Sequence, residues 1–172
     1  MDLIRVTQEF INETDLFNLL GITFVETDPN PRATDEKPIN HVGDCTVCAV
    51  SNLLSVPYDD AYRLLATQGA EDRKMMNDMR VVSEVCAGYG YKSYRISTSP
   101  RVTFASFMHL YKRGRFLLAD RDHIIAYVDG VIYDRPRMRG YDVEMMGKRL
   151  FCVITNVDIG DIVYKVITSV DD

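Results

Sequence analysis

Apolar residues recur at helical spacing through the middle of the chain and crowd into short strand-like runs over its last third. The segment CTVCAVSNLLS, entered from Asp44 as N-cap, sets Val47, Val50, Leu53 and Leu54 on one helical face. Pro57 opens a second helix, PYDDAYRLLATQ, with Ala61, Leu64 and Leu65 turned inward. A third fits DMRVVSEVCAGYG, ended by Gly88 or Gly90, and a fourth fits TFASFMHLYKR, ended by Gly114. Ahead of these, Ile4, Phe10 and Ile11 keep helical spacing. A short run from Asp15 to Leu20 stops at Gly21, and ITFVE reads as a strand.

The later runs RFLLA, HIIAYV, VIYD, LFCVITN and DIVYKVIT are rich in β-branched and aromatic residues and separated by turn signals. Asp129-Gly130 between two of them is a strong hairpin signal. Helices first and antiparallel strands last is an α+β layout, with helices packed on a C-terminal antiparallel sheet. Residues 27–43 are polar and proline-punctuated, a loop of a length that compact domains seldom keep without a use.

A chain of 172 residues corresponds to about one domain. The expected division is an N-terminal extension, 1–36, packing on a body formed by 37–172. A net charge of −5 argues against nucleic acid and anionic membranes as partners. No apolar run approaches the roughly 20 residues that cross a bilayer, and the N-terminus has no secretory pattern. Four cysteines in this context read as reduced thiols in a cytoplasm, so each must be packing, metal or chemistry.

Cys45 follows directly on the helix cap, where backbone N–H groups and the helix dipole favour a thiolate. If Asp129 and Gly130 are the two loop residues, Val128 opposes Val131, 125 opposes 134, and 123 opposes 136. His123, Ile125, Asp134 and Pro136 then share one face, with His123 and Asp134 diagonal neighbours that a hydrogen bond can join. Ile124, Ala126, Val128, Val131 and Tyr133 form the opposite, core face. A nucleophile at a helix start, a base on a strand and an acid that orients the base make up an activated-cysteine arrangement.

On the segments GDCTVCAVSNLLSVPYDDAYRLL and GRFLLADRDHIIAYVDGVIYD, the chain resembles the papain-like cysteine peptidase superfamily. Within it, the resemblance is to small bacterial and phage-encoded members and the double-glycine leader peptidases, and it spans roughly residues 40–136. It implies a papain-like fold in which Cys45 is the nucleophile, His123 the general base and Asp134 the orienting acid. The superfamily usually carries a Gln a few residues before the Cys, to hold the oxyanion. This chain has Asn40 there instead, with the Cys45 N–H as second donor. Thr46 stands where the leader peptidases tend to have Gly. The implied activity is a cysteine-dependent hydrolase, free of cofactor and metal, acting on a peptide, isopeptide or related amide in a bacterial or phage-infected cell. Acyl transfer, transglutamination and deamidation use the same triad, and a non-catalytic binding or inhibitory module keeps the fold without the chemistry.

Other readings share these residues. Cys45 and Cys48 form a CxxC at a helix start, but the polar feed PINHVGD is unlike a redox strand, and a zinc site lacks a second Cys pair. Cys48, Cys86 and Cys152 read as core. His41 is an alternative base on a loop, and His109 a surface or packing residue. Arg135, Arg137 and Arg139, with Lys112, Arg113 and Arg115, read as solvated loops or as the rim of a site for acidic substrates. Met75, Met76, Met79, Met145 and Met146 read as gap-filling core.

Overall fold

A computed structural model describes residues 21–26, 44–96, 101–134 and 141–160. Asp129 and Gly130, both at positive φ (49° and 83°), close the expected two-residue hairpin between β4 (Ile124–Val128) and β5 (Val131–Asp134). Val128 opposes Val131, Tyr127 opposes Ile132 and Ala126 opposes Tyr133, the register read from the sequence. On its other side β4 pairs antiparallel with β3 (Arg115–Ala119), which pairs with β6 (Cys152–Thr155), which pairs with β2 (Lys92–Arg95).

The sheet is not wholly antiparallel. The strand read in ITFVE is β1 (Thr23–Glu26), and it lies parallel to the outer edge of β5, with Thr23 N–H donating to Gly130 C=O at 2.9 Å. The result is a six-stranded mixed sheet in the order β1-β5-β4-β3-β6-β2. A parallel neighbour requires a long crossover, and here most of the chain runs between β1 and β5. Residues 23–26, assigned above to the N-terminal extension, are therefore an edge strand of the sheet.

Five helices accompany the strands among the described residues: α1 (Cys45–Leu54), α2 (Tyr58–Asp72), α3 (Met79–Ala87), α4 (Phe104–Leu110) and α5 (Tyr141–Met146). The helices occupy both faces of the sheet, giving a mixed α/β arrangement. The expectation of a single core face on β4 is thus corrected. Ile124 and Ala126 pack under α1–α3, whereas Ile125 and Tyr127 join Phe104, Phe107 and Phe116 on the side of α4 and α5. In α1, Val47, Val50 and Leu53 are buried as the periodicity requires, each worth about 1.5–3 kcal/mol of apolar transfer.

Two elements, β2 and α5, escaped the sequence reading. β2 (KSYR) is an edge strand with three of its four residues exposed, so no buried alternation marks it. Met145 and Met146 of α5 are core, as expected, and Met76 and Met79 pack against the core, but Met75 is exposed. The segments read in residues 1–20, 27–43 and 161–168 lie outside the described residues.

Candidate active site

Cys45 is the first residue of α1, and this end of the helix meets the end of the sheet where β4 begins. Asp44 precedes it in N-cap position but does not cap. Its backbone is helical (φ −83°, ψ −10°), and its buried carboxylate accepts instead from the Tyr58 hydroxyl of α2. The capping role read from the sequence is corrected on this point, because a buried phenol competes successfully for the carboxylate.

His123 ends the turn between β3 and β4. Asp120 shapes that turn: its Oδ1 accepts from the N–H groups of Asp122 and His123, both at 2.7 Å, while its N–H donates to the His123 C=O at 3.0 Å. Both backbone polar groups of His123 are thereby held. Its Nε2 lies 2.8 Å from Asp134 Oδ2 at the end of β5, and the two residues are only 6 % and 7 % exposed. With Nε2 bonded to a carboxylate, Nδ1 is the ring nitrogen left to meet Cys45, the thiol on which the imidazole acts.

The Cys45 thiol titrates below its ordinary range. Burial is the largest single influence and pushes it up. It is outweighed by the hydrogen bond and charge of His123, the Ile124 N–H and the Thr46 side chain, all of which favour the thiolate. Cys86 and Cys152 behave oppositely. Burial pushes Cys86 up to about 12, with repulsion from Cys152 adding to it, and pushes Cys152 up to about 11 despite Arg95 nearby. Cys48 is buried in the core beside Val47 and Ala49. All four cysteines are unbridged, and no group of three potential metal ligands occurs among the described residues.

The structure thus brings Cys45, His123 and Asp134 together. Asn40, His41 and Arg135, Arg137 and Arg139 lie outside the described residues. His109 is exposed at the end of α4. Arg115 does not rim the site: its guanidinium donates to the carbonyls of Asn52 and Leu53 and to Ser55 Oγ, closing the opposite end of α1, about 15 Å from Cys45 at 1.5 Å per residue. Lys112 and Arg113 precede Gly114, which is bonded to the Asp129 turn at that same far end. A cavity of about 460 Å³ beside Ser51, Ser55 and Arg115 belongs there too, away from the thiol.

Asp120 was missed in the sequence. The available signal was an Asp three residues before the His in a short connection, the pattern of a side chain that takes up the N–H groups of its own turn. No protein-family model, curated protein or solved structure matches the chain. No described helix is long and apolar enough to cross a membrane.

Proposed function

We propose that the protein is a cysteine-dependent hydrolase of papain-like type, cleaving a peptide, isopeptide or related amide through Cys45, His123 and Asp134. One observation carries the reading: a buried His–Asp pair, 2.8 Å apart, meets the single thiol at a helix start whose titration is lowered, while Cys86 and Cys152 are raised. Asp134 accepts from Nε2–H and so presents Nδ1 to the thiol. His123 takes the Cys45 proton, and the thiolate attacks the carbonyl carbon as the C=O π pair moves to oxygen. The Cys45 N–H, unsatisfied within the helix, is a donor for that oxyanion. Collapse expels the amine with the proton from His123, and water then releases the acid from the thioester, His123 again serving as base.

The test is the pH dependence of iodoacetamide alkylation at each cysteine under native conditions, read by peptide mass spectrometry. Cys45 is expected to react first, with an apparent pKa below the roughly 8.5 of a free thiol. His123→Ala removes the two largest lowering influences and leaves the burial that raises the pKa. The midpoint should then move upward and the rate at pH 7 should fall about tenfold or more. Ordinary thiol kinetics at Cys45, unchanged by His123→Ala, would overturn the reading in favour of a non-catalytic binding module.

A further inference from the structure

A cleft of about 450 Å³ opens between α3 and the sheet, lined by Met79, Arg80 and Ser83 on one side and by Arg95, Arg121 and Phe151 among others on the other. Its position relative to Cys45 follows from the strand register. Ile124, packed in one cluster with Cys45 and among the groups that favour its thiolate, opposes Ala119; Ala119 opposes Cys152; Cys152 opposes Arg95. Opposed residues share a face, so these four make one row along the end of the sheet, on the face that carries α1 and α3. The row starts at the thiol and ends at an arginine. At roughly 4.8 Å per strand it is about 14 Å long, the reach of three or four extended residues.

The cleft is strongly cationic although the chain carries a net charge of −5. Arg80, Arg95 and Arg121 are exposed, and none forms an ion pair among the described residues. Arg121 is steadied over the Phe151 ring at 4.9 Å, which also supplies an apolar wall. The carboxylate in the lining, Asp120, is turned to other work. Its Oδ1 holds the His123 turn, and its Oδ2, whose side chain is 6 % exposed, lies 3.9 Å from Lys148 Nζ. Three guanidinium forks that make no ion pair among the described residues, Arg80 feeling Asp78 only through its charge, suit carboxylates, which each can grip in two places.

We infer that this cleft binds an acidic peptide segment, the substrate class of the proposed hydrolase, with Glu or Asp side chains two to four residues from the attacked carbonyl. The inference rests on the hydrolase reading for its chemistry, but the binding is measurable apart from it. Tetraglutamate amide and tetraglutamine amide would be titrated into ¹⁵N-labelled Cys45→Ala protein. The acidic peptide should bind about tenfold or more tightly, with shifts centred on Ser83, Ser93 and Cys152 and affinity falling as salt rises. Arg80→Gln/Arg95→Gln/Arg121→Gln, on exposed positions that leave the core intact, should bring the two peptides within about twofold. In the wild type, tetraglutamate should slow iodoacetamide alkylation of Cys45.

Equal binding of the two peptides, a preference that survives the triple variant, or tighter binding of oligothymidylate than of tetraglutamate would overturn the inference. Acidic preference together with ordinary kinetics at Cys45 removes the hydrolase and leaves the cleft. Fast, His123-dependent alkylation without acidic preference does the reverse.

Discussion

The placement of the His123 imidazole depends on its backbone as much as on its ring. Asp120 never touches the reacting atoms; it is a positioning residue that fixes where β4 starts, through two 2.7 Å bonds from backbone N–H groups. Asp120→Ala leaves those donors without their acceptor and lets the imidazole drift from Cys45. The alkylation midpoint of Cys45 should rise, and the rate at pH 7 should fall about tenfold, whereas Asp120→Asn keeps the acceptor oxygen and should stay near wild type. A purely structural defect would shift the melting temperature without moving the midpoint. Cys45, His123 and Asp134 were legible because a helix start and a two-residue hairpin have fixed geometry. The Asp44 carboxylate was not: its partner, Tyr58, comes from another helix.

Helix ends show how neighbouring elements complete one another. Arg115 of β3 satisfies the last carbonyls of α1, and Ser55 follows at φ 55°, the left-handed conformation that ends many helices. The end of α2 is self-contained. Arg73 N–H donates to Ala70 C=O and Lys74 N–H to Gly69 C=O, with Arg73 at φ 54°. A Cβ on Gly69 would sit 2.8 Å from the Lys74 carbonyl, so this glycine permits the closure. Arg73, by contrast, pays a steric penalty that glycine lacks. Arg73→Gly should stabilise the protein by about 1 kcal/mol, a rise of roughly 2–4 °C in Tm by calorimetry, with Cys45 reactivity unchanged. Four helices and five strands were readable from period and punctuation. β2 was not, since a mostly exposed edge strand has no buried face to alternate, and neither was α5, six residues long with little room for a helical period.

Across the whole molecule, the site exists because α1 lies on the β3–β4–β5 end of the sheet at one height. Ala126 lies fully buried in the cluster beneath α1, where a small side chain leaves no room for a larger one. Ala126→Leu overfills the interface and should cost about 1–3 kcal/mol by urea denaturation. Where the variant remains folded, it should also raise the Cys45 alkylation midpoint, because lifting α1 separates the thiol from His123. The smaller Ala126→Gly tests the same interface without overpacking, and should lower stability while sparing the midpoint more. Strand alternation, turn residues and helix periods, each decided within a few neighbouring positions, were enough to establish the β4–β5 register and the candidate triad. They did not reveal that β1 runs parallel along β5, that both faces of β4 are buried, or that Arg95 ends a row begun at Cys45. Those depend on which distant faces bury one another, and burial rewards area without specifying partners, so only the assembled sheet and its helices decide them.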